Sequence, residues 1–174
     1  MFYGYDNFDF FCSLIPIFFL VFQCFVSIFL LYYLRFSFCD FDLDFKIYGH
    51  QWYWTYEYRD FNNVKFDSYL KRLDDLLIGE FRLLDVDNYC IIPSGLNICF
   101  LVTSFDVIHS WTLFNLFFKL DAIRGIINSL VFKFPFIGLY YGQCSEICGV
   151  NHSFIPIVVE SVPYNFFKYW LKIF

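Results

Sequence analysis

The chain has 174 residues, of which 59% are hydrophobic, with 28 phenylalanines and 14 tyrosines against a single alanine. Soluble domains run at about 45–50% apolar, so a water-soluble core alone leaves an excess; a membrane segment accounts for part of it, and a coding bias towards T-rich codons for the rest. The formal net charge of −5 argues against nucleic acid as a partner and suits a cationic protein.

From Phe10 to Leu34 the sequence carries no charged residue. As a helix this run is roughly 37 Å long, more than the hydrocarbon core of about 30 Å. A signal peptide would need a basic start and a small-residue cleavage site, whereas Asp6 and Asp9 precede the run. We therefore expect a transmembrane anchor over residues 1–36, with Pro16 tolerated one or two turns in. Its sidedness is weakly marked, because Arg35 is the one basic flank. A linker over 37–46, with Asp40, Asp42 and Asp44, leads into the domain. Strand-like segments then recur at 46–58, 80–87, 96–103, 107–114, 129–133, 137–141 and 154–161. They are rich in aromatic and β-branched residues and punctuated by turn residues such as Asn62-Asn63 and Pro93-Ser94-Gly95. Such spacing predicts an all-β sandwich or barrel over 47–162. Residues 97–120 are apolar but carry Asp106 and His109, which disfavours a second span. Residues 163–174 read as a short amphipathic helix starting at Pro163, with Phe166, Trp170 and Phe174 on one face and Lys168 and Lys172 on another.

Seven cysteines at irregular spacing do not form a disulfide framework. Cys12 and Cys24 lie in the apolar run, and Cys90 and Cys99 alternate with strand residues, so all four read as packing thiols. Cys144 and Cys148 differ, because His152 follows at the same spacing and His109 ends a strand-like segment upstream. Thiolate and imidazole donors on a loop and a strand end suit tetrahedral zinc, and suit copper equally well. Spacing alone leaves that choice open. "GHQWYWTYEY", residues 49–58, adds five aromatics in ten positions. By itself this is a strand with rings packed on both faces. On an acidic domain, exposed rings would also suit contact with another redox protein.

Together "GHQWYWTYEY", "FDSY", "DVIHSW", "KLDAI" and "YYGQCSEICGVNHSF" resemble cytochrome c oxidase subunit II, in order, from about residue 10 to the C-terminus. The resemblance implies a cupredoxin-like Greek-key barrel holding a binuclear copper centre, CuA, that takes electrons from cytochrome c and passes them to haem a in subunit I. It implies Cys144 and Cys148 as bridging thiolates, His109 and His152 as terminal imidazoles, and the Glu146 backbone carbonyl as a further copper ligand. The Glu146 side chain would reach a magnesium ion shared with subunit I. Trp52 matches the tryptophan at which electrons from cytochrome c enter, flanked by Tyr53 and Trp54. Asp106 matches an acidic position that attracts cytochrome c. Asp9 matches a glutamate at the mouth of a proton channel, and reads equally as an ordinary interfacial carboxylate.

The sequence departs from that family in four places. Ile155 stands where the family has a methionine, a weak axial ligand; losing it should raise the reduction potential and leave the strong ligands intact. The alternatives are a water or backbone oxygen in its place, a codon read with another table, since Met1 is the one methionine, or an empty, degenerate site. Phe105 and Asn62-Asn63 replace acidic positions, so the docking face should be less negative and its ionic-strength dependence weaker. Arg124 and Ile126 replace a proline and an arginine of the turn that Lys119 and Asp121 otherwise match. The family has two membrane helices and this sequence has room for one, matching the second. We expect a separate chain to supply the first helix. The N-terminus would face the matrix and the barrel the intermembrane space of the mitochondrial inner membrane. The rival reading is a membrane-anchored cupredoxin-like protein holding zinc or one copper.

Overall fold

A computed structural model describes residues 6–36, 40–60 and 64–173. The turn expected at Asn62-Asn63, residues 37–39 of the expected linker and Phe174 lie outside these residues. The chain divides between residues 39 and 40 into two compact units.

The first unit is one helix, α1 (Asp6–Phe36), whose stretch Asn7–Tyr33 is long and apolar enough to cross a membrane. It starts ahead of the apolar run, and the Asp9 carboxylate sits favourably near the positive end of the helix dipole. Pro16 lies inside it, and Ser13 Oγ donates to the Asp9 carbonyl one turn back at 2.9 Å.

The second unit holds ten strands among the described residues. These are β1 (Leu43–His50), β2 (Tyr53–Tyr58), β3 (Val64–Ser68), β4 (Cys90–Pro93), β5 (Asn97–Ser104), β6 (His109–Leu113), β7 (Phe118–Ala122), β8 (Asn128–Lys133), β9 (Gly138–Gln143) and β10 (Pro156–Val162). They form two five-stranded sheets, ordered β3-β2-β1-β5-β8 and β4-β10-β9-β6-β7. The pairs β1–β5 and β10–β4 are parallel and the remaining pairs antiparallel. Strand β1 shows the period of two that a half-buried strand requires: Phe45, Ile47 and Gly49 face in, while Lys46, Tyr48 and His50 face out. Aromatic rings fill the space between the sheets. Phe100 of β5 meets Phe45, Trp111, Phe118 and Phe134 at centroid distances of 5.8, 5.7, 5.4 and 6.0 Å. Two polar tips of this core are paired: Tyr58 Oη donates to the Ile91 carbonyl at 2.7 Å, and Trp111 Nε1 to Tyr56 Oη at 3.3 Å, whereas the buried Trp54 Nε1 has no partner among the described residues.

Several expectations need correction. The segment 46–58 is two strands, folded back at Gln51 and Trp52 with His50 opposite Tyr53. Strand β1 already begins at Leu43, inside the expected linker, because Asp42 caps the adjacent strand through a 2.8 Å bond from the Asn97 N–H. The segment 80–87 is no strand. Asp85 turns its carboxylate back to accept from the Phe81 N–H at 2.9 Å, which closes a turn instead. Strands β3, β4 and β7 were not expected; each is only four or five residues long, too short to show a period. The terminal helix α2 (Tyr164–Ile173) forms as expected, but Phe167 is its buried anchor and Phe166 is 67% exposed.

Candidate metal centre

His109 opens β6, and Cys144 directly follows β9. These strands are neighbours in one sheet, so both residues arrive at the same end of it. Backbone bonds from the Ser145 N–H to the Ser110 carbonyl and from the Cys144 N–H to the Ile155 carbonyl, both 3.1 Å, continue the sheet past the strand ends. Cys148 follows on the same loop, and His152 starts a single 3-10 turn (His152–Phe154) before Ile155 and β10.

The donor atoms run in order. His109 Nδ1 lies 3.8 Å from Cys144 Sγ, Cys144 Sγ lies 3.8 Å from Cys148 Sγ, and Cys148 Sγ lies 3.4 Å from His152 Nδ1. Cys144 Sγ also lies 3.3 Å from the Glu146 carbonyl oxygen. The two sulfurs are free thiols, far beyond the bonding distance of about 2.05 Å for a disulfide. They are close enough for one ion, at about 2.3 Å from each, to touch both. Among the described residues, His109, Cys144 and Cys148 form the one group of three or more such donors within metal-binding reach. The Glu146 carboxylate is not part of it. Buried thiols flanked by two imidazoles fit copper and zinc alike.

The surroundings prepare these donors. His109 Nε2 is held by Asp106 Oδ1 at 2.8 Å, which leaves Nδ1 facing Cys144. Asp106 is itself fixed by the Gln51 N–H at 2.7 Å and the Val107 N–H at 2.6 Å, and Ser104 Oγ donates to the Val107 carbonyl. Behind the imidazole stands Trp54, fully buried, edge-on at 5.9 Å. A Cβ on Gly49 would lie 2.8 Å from His109 Cδ2, so the bare glycine makes the space for the ring. A Cβ on Gly142 would strike the Thr112 carbonyl at 1.8 Å, so that glycine is what lets β9 approach β6.

Ionisation follows these contacts. Burial pulls His109 down, but its bonds to Cys144 and Asp106 outweigh burial and hold the imidazole above its usual value. Partial burial pushes Asp106 up, yet His109 and the Gln51 and Val107 amides bring the carboxyl below its ordinary range. Burial also raises Cys144, but the bond with His109 and backbone bonds at Glu146 and Ser110 lower it further than burial raises it. Cys148 is pushed up by burial and by the neighbouring sulfur. Of the pair, Cys144 ionises first.

Trp52 is half-buried in the β1–β2 turn, while Tyr53 stacks on His50 and on Tyr69 at 4.5 Å each. The three aromatics grouped by sequence therefore occupy three settings, with Trp54 in the core behind His109. Asp9 is exposed on α1. Ile155 is buried, 1% exposed, and its carbonyl holds the Cys144 amide. Gly49 and Gln51 were missed from the sequence. A glycine inside an alternating strand was the available signal for the first.

The family model of the periplasmic domain of cytochrome c oxidase subunit II matches residues 43–162, from the first residue of β1 to the last of β10. The chain is 52% identical to cytochrome c oxidase subunit 2 of Caenorhabditis elegans over 159 residues, 91% of this chain and 69% of that protein. The solved periplasmic domain of subunit II from Bradyrhizobium japonicum aligns with a TM-score of 0.71 at 40% identity, covering 78% of this chain and 94% of that one. Subunit II captured in a mixed disulfide with a thioredoxin-like protein aligns with a TM-score of 0.67 at 38% identity, covering 79% and 93%. The two-sheet unit is thus cupredoxin-like.

Proposed function

The chain belongs to the cytochrome c oxidase subunit II family, and from that premise we propose that it accepts electrons from cytochrome c at a binuclear copper centre and passes them to haem a in subunit I. The observation that carries this reading is the ordered run His109, Cys144, Cys148, His152, with one imidazole outside each of two adjacent sulfurs. Cys144 and Cys148 would hold the metals through their thiolates, with His109, His152 and the Glu146 carbonyl as further donors. Bound there, two copper ions supply a one-electron store shared across both metals. Asp106 fixes the His109 ring so that Nδ1 stays a ligand atom, and Trp54 and Gly49 hold that ring in place. The lowered Cys144 pKa favours the thiolate that metal binding needs.

Trp52 takes the incoming electron at the surface turn, and Asp106 attracts the cationic donor. The Glu146 side chain is proposed to reach a magnesium ion shared with subunit I. Ile147 and Val150, 77% and 91% exposed on the ligand loop, suit burial against that subunit. Oxygen is reduced elsewhere in the proton-pumping complex. Helix α1 anchors the chain in the mitochondrial inner membrane, N-terminus in the matrix and sandwich in the intermembrane space, with Asp9 near a proton channel. Replacing Cys144→Ser or Cys148→Ser in the assembled oxidase should abolish electron uptake from reduced cytochrome c. Haem reduction by a small artificial reductant should continue. Uptake at the natural rate in either variant would contradict the assignment.

A further inference from the structure

The turn between β1 and β2 consists of Gln51 and Trp52, and it touches both halves of the donor set. On one side the Gln51 backbone N–H donates to Asp106 Oδ2 at 2.7 Å, while the other oxygen of that carboxylate holds His109. On the other side Gln51 Nε2 donates to the Cys148 carbonyl at 2.8 Å. The next residue, Gly149, is crowded by the same turn: a Cβ there would lie 3.1 Å from Gln51 Nε2 and 3.3 Å from Trp52 Cζ2. Gly149 also has a φ of +122°, a backbone that L side chains rarely adopt. Amide and indole therefore rest together on the peptide between Cys148 and Gly149.

We propose that Gln51 is a positioning residue whose side-chain amide fastens the Trp52 turn to the Cys148 loop, while its backbone amide fastens the same turn to the carboxylate that orients His109. The proposal rests on reading Trp52 as the residue where electrons enter. The ligand loop after Cys148 belongs to no strand; its backbone bonds are short-range, from the His152 N–H to the Gly149 carbonyl at 3.2 Å and from the Phe154 N–H to the Asn151 carbonyl at 2.9 Å, and Gln143 Nε2 of β9 donates to the Ser153 carbonyl at 3.0 Å. The Gln51 bond ties that loop across to the other sheet. It keeps the indole beside Gly149 and provides a hydrogen-bonded link from the turn to the carbonyl of a candidate ligand residue. A loop that drifts from the indole slows transfer from a bound donor and leaves the docking of that donor unchanged.

The test uses the assembled oxidase. Gln51→Leu keeps the bulk and the backbone N–H to Asp106, and removes only the bond to Cys148; Gln51→Asn keeps an amide that is one methylene too short to reach. Both variants should retain the copper content and the KM for cytochrome c of the natural protein. Losing one hydrogen bond should speed hydrogen–deuterium exchange in peptides spanning 148–154, where the His152 and Phe154 N–H groups are bonded, about five- to tenfold. Transfer from the bound donor should slow several-fold in both. Exchange and transfer both unchanged in Gln51→Leu would overturn the proposal. So would loss of copper, because Gln51 would then build the site rather than fasten the turn to it. Trp52→Phe separates the two readings: natural uptake in that variant, with exchange still faster in Gln51→Leu, means that the uptake assignment has failed and the clamp stands.

Discussion

Cys144 and Cys148 lie on one loop and ionise differently, because His109 and two backbone groups outweigh burial at the first, while burial and then its partner's charge raise the second. Their candidacy as ligands, with His152, was legible because equal short spacing on one loop already restricts the three to one place. His109 was legible as a further donor at a strand end, although no local pattern says which strand end lies beside that loop. Gln51 and Gly49 were not legible for a related reason: their roles come from close approach across the β1–β2 hairpin, which has no signature in the intervening sequence. Ile155 was marked as a departure and is buried beside the ligands, with its backbone rather than its side chain serving Cys144. We expect Ile155→Met to restore a weak thioether donor and lower the reduction potential, with copper content unchanged. Redox titration of the assembled oxidase measures this directly, and a potential that holds or rises would contradict it.

Between elements, the outward faces of β1 and β2 carry a column of rings. Tyr48 meets Phe105 at 5.2 Å, Phe105 meets His50 at 4.9 Å, and His50 meets Tyr53 and Tyr53 meets Tyr69 at 4.5 Å each. Partial burial lowers the His50 pKa, and the Asp106 and Asp67 charges only partly oppose it. His50 is therefore neutral at pH 7 and gains a positive charge only as the pH falls below the ordinary histidine value of about 6.5. A cationic donor meets an uncharged ring at neutral pH and a repelling one in acid, so the KM for cytochrome c should rise as the pH drops through that range. His50→Gln should remove this acid limb, and an unaltered pH profile in that variant would refute the link. The rings were visible in "GHQWYWTYEY", but the hairpin was not, because Gln51 and Trp52 lack the glycine or asparagine that usually marks a two-residue turn. The segment 80–87 failed in the opposite direction, its strand-like composition overridden by the side chain of Asp85.

For the whole molecule, composition separated a long apolar segment from a β domain, and the chain divides into two compact units between residues 39 and 40. The all-β class was legible from even punctuation, whereas the strand order was not. The parallel pairings β1–β5 and β10–β4 join segments far apart in sequence and depend on how the aromatic core closes. That closure sets His109 beside the cysteine loop, so the fold and the proposed electron path share one geometric cause. The most direct test is a metal count on the purified oxidase together with its electron paramagnetic resonance spectrum. The account predicts two copper ions at this subunit and a signal from one unpaired electron shared equally between them. A single copper, a silent zinc ion or no metal at all at His109, Cys144, Cys148 and His152 would contradict it.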